Sequence, residues 1–205
     1  MILFPTEGAT MAGNVSPVAD EREGLLAYLE QQRHVLRIAA HGLTEEQARA
    51  VPTRSSLSVG GLIKHTASTE DGWIDILLQK PSKPMDEAMK EYEAGYVMTP
   101  EETVESVLAR YDEVARRTSD VIAGIADLGQ PVPVPKGVPW YPQDVDAWSV
   151  RWVLLHLIEE TARHAGHADI IREHIDGATA IPLMAAAEGW PETPWLKPWS
   201  PAQND

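Results

Sequence analysis

Apolar residues recur three, four and seven positions apart along four long stretches of the chain, which is the spacing of amphipathic helices. The first helix is predicted to begin at Asp20, which with Glu23 resembles a capping box, and to end before Gly42. The second is predicted to begin at Ser58 and to end near Gln79.

Cap signals also mark the other helices. Residues 44–47 (TEEQ) read as a capping box for a short helix. Thr99, followed by a proline and two acids, predicts the start of a third long helix that runs to about Ala126. The fourth is expected to open at Ser149 and to end at Gly177, a typical C-cap residue.

The segments between the helices carry no alternating strand pattern. Residues 80–98 are polar and are interpreted as a loop that can hold a short helical turn. Residues 129–147 contain five prolines and read as an irregular crossover. The fold class expected is therefore all-α, an up-and-down four-helix bundle over residues 20–178. Residues 1–19 are expected to be a tail.

A second tail follows the bundle. Residues 179–205 are rich in proline and tryptophan, and this composition is too aromatic for a merely disordered segment. We expect the tail to pack along the bundle or on a partner subunit, and a homodimer is one arrangement that would provide such a partner. The tryptophans of the chain are interpreted mainly as packing residues rather than as a stack that binds a ligand.

Composition excludes several classes of function. The formal net charge is −14, from 31 acidic and 17 basic residues, and this argues against partners such as nucleic acid or anionic membrane surfaces. No segment has the length of apolar chain that spans a membrane, and the start lacks the basic region of a signal peptide. We therefore expect a cytoplasmic protein. The chain has no cysteine, so it has neither a thiol nucleophile nor a thiolate metal ligand of its own.

The candidate chemistry lies on the fourth helix, in residues 151–176. One apolar stripe of this helix also carries a carboxylate and two imidazoles; its members are Val153, Leu157, Glu160, His164, His167, Ala168 and Ile171. Polar groups on a core-facing stripe are costly unless they are satisfied. Because Glu160 and His164 lie one turn apart, both can bind one divalent metal ion.

A third ligand has to come from elsewhere, and His65 is the best candidate. It is the other histidine that the pattern places on the inward face of a long helix. His156, one turn before Glu160, is the reserve candidate. Three protein ligands with open positions are typical of catalytic rather than structural metal sites.

Other side chains of the fourth helix suggest further roles. His167 is a candidate for moving a proton or orienting substrate. Arg163 and Arg172 would meet an anionic substrate or cofactor if they reach the mouth of the cavity. Two alternatives to a metalloenzyme stay open: a bundle that binds metal or ligand without catalysis and acts through partners, and a metal-free bundle with a buried polar network.

Two segments make the chain resemble a known family. Residues 58–73 (SVGGLIKHTASTEDGW), followed about ninety residues later by residues 152–177 (WVLLHLIEETARHAGHADIIREHIDG), resemble the DinB-like superfamily. The resemblance is strongest to the actinobacterial branch near the mycothiol-dependent maleylpyruvate isomerases and thiol S-transferases. It implies a four-helix bundle that holds one divalent metal, zinc or nickel, through His65, Glu160 and His164. Many members have histidine where this chain has Glu160, and glutamine where it has His167.

The resemblance also implies an activity. Members of this family act with a low-molecular-weight thiol such as mycothiol, and the absence of cysteine in this chain is compatible with a thiol supplied as a cofactor. The function expected is a metal-dependent S-transferase or isomerase that acts on a small electrophile.

Overall fold

The structure, a computed structural model, describes residues 13–201. Residues 1–12 of the expected N-terminal tail and the last four of the expected C-terminal tail lie outside this range. The described elements in chain order are α1 (Glu21–Ala39), α2 (Glu45–Arg49), α3 (Val59–Leu77), α4 (Met85–Gly95), α5 (Val104–Ala123), β1 (Pro131–Pro133), β2 (Ala147–Ser149), α6 (Val150–Asp176) and α7 (Ala180–Glu188).

Four long helices, α1, α3, α5 and α6, form the bundle, which confirms the predicted fold class. Helix α6 lies between α1 and α3. Helix α3 in turn packs on α5. Strands β1 and β2 pair antiparallel, with Val132 opposite Trp148, and tie the crossover to the start of α6. No described helix has the length and apolarity needed to cross a membrane.

The cap residues explain most of the helix boundaries. Asp20 accepts from the Glu23 amide at the start of α1, Ser58 from Gly61 in α3, and Ser149 from Trp152 in α6. Each side chain satisfies an amide that has no partner within the helix. These caps are the ones that the sequence predicted, and they fix where the two site-bearing helices begin.

Two sequence predictions about the secondary structure are wrong. Residues 80–98 are not a loop with a short turn, because they contain the 11-residue helix α4. The third long helix begins four residues later than predicted. Thr99 only starts a turn, in which Glu102 accepts from the Thr99 amide; Thr103 then forms the true capping box with Ser106.

The bundle interior consists of two apolar clusters. One surrounds Leu62, Ile63 and Ala168, and the other surrounds Trp73 and Leu157. Both clusters take residues from α3 and from α6, so the two helices are held against each other above and below their middle turns. The polar residues of the candidate site lie between these clusters.

The C-terminal tail packs on the bundle of its own chain. Helix α7 lies against α1, and a third apolar cluster joins Ile38 to Leu183, Trp190 and Leu196. Trp195, in contrast, is 71% exposed. Most of the apolar surface of the described tail is therefore already covered within one chain.

Gly61 allows the segment after α4 to lie directly on α3. A Cβ at this position would be 2.1 Å from the carbonyl oxygen of Tyr96, a backbone atom. Such an overlap cannot be relieved by turning a side chain. The glycine therefore sets how closely Tyr96 approaches the helix that carries His65.

We expect Gly61→Ala to lower the free energy of unfolding by about 1–3 kcal/mol, because the new methyl group overpacks this contact. Gly72→Ala is the matched control on the same helix: nothing lies within 4 Å of its Cβ position, and the residue is exposed. This control should raise the free energy of unfolding by roughly 0.5–1 kcal/mol. Urea unfolding followed by circular dichroism measures both. Equal effects of the two substitutions would contradict the close approach.

Candidate metal centre

Helices α3 and α6 bring His65, Glu160 and His164 together. The Glu160 Oε1 atom lies 3.4 Å from His65 Nε2 and 3.2 Å from His164 Nε2. One ligand atom from each of the three residues falls within 4.8 Å of the others. The structure thus assembles the three residues that the sequence singled out as ligands.

The separations within this cluster suit a metal ion. A tetrahedral ion with bonds of about 2.0–2.1 Å to nitrogen and oxygen has ligand atoms about 3.3 Å apart. The two distances from Glu160 to the histidines match that edge. The two imidazoles and one carboxylate also form a donor set that suits zinc and other divalent transition metals. The cluster could therefore hold such an ion with little rearrangement.

Burial differs among the three residues of the cluster. His65 and His164 are 2% and 7% exposed, whereas the Glu160 side chain keeps 24% of its surface. The site is therefore deep on the histidine side and open to solvent on the carboxylate side. This asymmetry leaves a direction from which a small molecule can approach.

Hydrogen bonding keeps the Glu160 carboxylate ionised. The imidazole N–H groups of His164 and then of His65 donate to it, and they hold the pKa of Glu160 well below its ordinary range, although partial burial opposes them. A carboxylate that does not protonate at neutral pH is the form that binds metal.

Tyr92 of α4 and Tyr96, the C-cap residue of that helix, complete the wall around His65. The Tyr96 ring stacks on the His65 ring, with centroids 3.8 Å apart and planes 14° apart, and Tyr92 meets the same ring edge-on at 5.7 Å. The two hydroxyl groups are 3.2 Å apart. Burial, and then the hydrogen bond with Tyr92, raise the pKa of Tyr96, so its hydroxyl stays protonated.

The sequence interpretation missed these tyrosines because it placed residues 80–98 in a loop. Tyr92 and Tyr96 lie four residues apart, which places them on one helical face. This spacing was the available signal. It was weak because, among the α4 residues, only Gly95 is buried, so the helix shows no apolar stripe.

His167 lies behind His164 rather than among the ligands. Its Nδ1 atom is 3.4 Å from His164 Nδ1, on the side of the His164 ring opposite Glu160. Burial lowers the pKa of His167, and the nearby charges of His164 and Arg163 lower it further. Arg163 itself is exposed on the outer side of α6.

Arg172 does not reach the mouth of the site, which corrects its interpretation as a substrate or cofactor contact. It is 1% exposed, and its guanidinium donates to Asp176 and to the backbone carbonyls of Ala39 and His41. It also lies over the Trp199 ring, 4.7 Å from the centroid. With its donors engaged in this way, Arg172 joins α6, the end of α1 and the tail.

His156, the reserve ligand, lies outside the metal cluster. Its ring stacks on Trp152 at a centroid distance of 5.2 Å and meets Trp73 edge-on at 4.7 Å. The described residues therefore give a three-residue centre in which His65, not His156, completes the pair on α6.

Comparison with known proteins agrees with this architecture. A crystal structure of a conserved protein from Enterococcus faecalis superposes with a TM-score of 0.56 at 17% identity, covering 78% of this chain and 100% of that one. At this identity the similarity concerns the fold alone. No curated protein matches significantly. The family model for mycothiol-S-transferase matches residues 24–177, which include the whole bundle core and all three cluster residues. The chain belongs to the mycothiol-S-transferase family.

Proposed function

We propose that the protein is a metal-dependent S-transferase that joins a mycothiol-type thiol to a small electrophile. Family membership supports the thiol and the transfer. The observation that supports metal dependence is the His65–Glu160–His164 cluster, with two separations from Glu160 that match a tetrahedral edge and with one solvent-facing side.

The three cluster residues hold the ion, zinc or nickel being the candidates from the sequence. When bound, the metal supplies a Lewis acid that stabilises the thiolate form of the incoming thiol. The sulfur nucleophile has to come from that thiol because the chain contains no cysteine. Glu160 contributes a negative charge, and the buried rings of His65 and His164 keep the rear of the site free of water.

His167 is assigned the task of orienting His164 in this proposal. Through Nδ1 it accepts a hydrogen bond from His164 Nδ1–H, which leaves His164 Nε2 directed at the cluster. Its lowered pKa keeps the ring neutral at neutral pH, so that Nδ1 is free to accept this hydrogen bond. Arg163, exposed and close enough to influence His167, offers a cation to an anionic substrate.

The Tyr96 hydroxyl is a further donor beside the cluster. Because its pKa is raised, it stays protonated and can donate to an electron-rich group of the bound electrophile. Homodimerisation and a cytoplasmic location stay predictions from the sequence.

The proposal is tested by thiol transfer. Metal-loaded protein is incubated with mycothiol and iodoacetamide, and the conjugate is quantified by mass spectrometry, with glutathione as a comparison thiol. We expect turnover with mycothiol and a loss of at least roughly 100-fold in kcat/KM for Glu160→Gln, which removes the charged ligand.

Glu159→Gln is the matched control for this assay. Glu159 is the neighbour of Glu160 on α6, its side chain is 68% exposed, and it lies outside the cluster. It should behave as wild type. Conjugation at the uncatalysed rate with fully metal-loaded wild type would contradict the proposed function and would favour a bundle that acts through partners.

A further inference from the structure

Helices α3 and α6 run antiparallel along a seam that extends beyond the metal cluster. His65 faces Glu160 at one level, and Trp73 faces Trp152 eight residues away on both helices. Eight residues of α-helix span about 12 Å. The same pair of helices therefore carries the metal cluster and, two turns away, an aromatic group.

This aromatic group is a row of parallel rings, with Trp148 on β2 and Trp152 and His156 on α6. Trp148 stacks on Trp152 at 4.8 Å with planes 8° apart, and Trp152 stacks on His156 at 5.2 Å with planes 12° apart. Trp73 lies across the row and contacts each ring at a tilt, 4.7–5.5 Å between centroids. We call Trp148, Trp152 and His156 the stacked row.

The position of this row differs from that of ordinary core packing. Trp73 is 6% exposed and belongs to the core, but Trp152 keeps 39% of its surface and the His156 side chain keeps 25%. A hydrophobic core alone explains Trp73. It does not explain why three planar rings lie parallel at a surface that opens to solvent, since aromatic residues bury most of their area when packing decides their place.

The row ends next to the metal cluster. His156 is its last ring, and Glu160 is one helical turn, about 6 Å, further along α6. Among the described residues, no aromatic ring stacks on His156 other than Trp152. A planar ligand added as the next member of the row would thus lie beside the solvent-facing side of Glu160.

We propose that the stacked row binds the electrophile, and that the preferred electrophile is a planar, electron-poor aromatic ring stacked on His156. Electron-poor rings stack favourably on electron-rich indole and imidazole faces, because their quadrupoles are opposite in sign. The inference rests on the proposed S-transfer for its chemical outcome, but the binding site itself requires neither thiol nor metal.

The chemistry that this placement permits is nucleophilic aromatic substitution. With 1-chloro-2,4-dinitrobenzene as the probe, the thiolate sulfur forms a bond to the ring carbon that carries chlorine. The carbon–chlorine bond then breaks, and chloride leaves with the electron pair. The thiol proton passes to solvent.

Binding is measured first, by equilibrium dialysis of 1,3-dinitrobenzene, which stacks in the same way but has no leaving group. We expect saturable binding to the wild type, about tenfold weaker binding to His156→Ala and Trp152→Ala, and near wild-type binding to His156→Phe, which keeps a ring. Trp195→Ala, which removes an exposed tryptophan of the tail, is the control and should bind as wild type. Circular dichroism checks that each variant is helical.

Transfer is measured second, as the ratio of kcat/KM for 1-chloro-2,4-dinitrobenzene to that for iodoacetamide. This ratio should fall about tenfold in His156→Ala and recover in His156→Phe. Binding that depends on a ring at position 156, without any thiol transfer, would support the subsite and contradict the proposed S-transferase activity. Either of two results would overturn the subsite. One is a substrate ratio that is unchanged in His156→Ala, and the other is dialysis that shows no saturable binding to the wild type.

Discussion

His164→Ala is expected to lose the bound metal: purified wild type should contain about one equivalent of a divalent transition metal, and the variant less than about a tenth of that. His164 is the proposed ligand that closes the cluster, because its Nε2 atom lies 3.2 Å from Glu160 Oε1 while its ring contacts the His65 ring. Without it, two donors remain on two different helices. Elemental analysis of protein expressed without added metal and without a polyhistidine tag measures the difference.

The control for this experiment is His156→Ala. His156 lies one turn before Glu160 on the same helix and is the reserve ligand of the sequence interpretation, but it is not part of the cluster. It should retain the metal. Loss of metal in His156→Ala together with retention in His164→Ala would show that the ligand set is misassigned.

Thermal unfolding provides an independent measurement of the same site. At a free metal concentration 100 times its Kd, binding stabilises the folded state by about 2.7 kcal/mol, which for a chain of this size corresponds to roughly 5–10 °C in Tm. We expect this rise in the wild type and none in His164→Ala. Absence of metal and of any Tm shift in both proteins would support the alternative of a metal-free polar network.

The convergence of His65, Glu160 and His164 was largely predictable from sequence because its signal is local. Glu160 and His164 lie one turn apart on a helix whose caps, Ser149 and Gly177, are also visible in the sequence. His65 follows from the same reasoning applied to α3. In each case the apolar stripe of one helix indicates which way the side chain points.

The features that escaped prediction depend on contacts between distant parts of the chain. Tyr96 reaches His65 because the backbone after α4 rests on Gly61, and nothing near Tyr96 in sequence encodes that approach. Arg172 has carbonyl partners at the end of α1, more than 130 residues earlier, so its burial is invisible from α6 alone. Periodicity identifies the faces of helices, but it does not identify which groups meet across them.

A buried ion pair is expected to give the largest effect on stability. Arg33 of α1 donates to both carboxylate oxygens of Glu70 in α3, at 3.0 and 2.5 Å, and both side chains are 1% exposed. Thr118 of α5 also donates to Glu70. Arg33→Met leaves a buried carboxylate without its cation, and we expect the free energy of unfolding to fall by about 3–5 kcal/mol.

Urea unfolding of metal-free protein measures this loss, with Arg151→Met as the control. Arg151 pairs with Glu21 in a similar bidentate manner, but the two side chains are 41% and 53% exposed. Solvent screens that pair, so its loss should lower the free energy of unfolding far less than the loss of Arg33 does. Equal effects of the two substitutions would show that Glu70 is accessible to water.

The double variant Arg33→Met with Glu70→Leu tests whether the ion pair affects stability alone or also sets the orientation of α3. Removing both charges also removes the desolvation cost, so most of the lost free energy should return.

Glu70 lies five residues after His65, about 140° around the helix, and so it faces α1 and α5 while His65 faces α6. Because apolar residues on both sides of the site already join α3 to α6, we expect the double variant to keep its metal. A stable double variant without metal would instead show that the ion pair sets the rotation of α3 that presents His65 to the cluster.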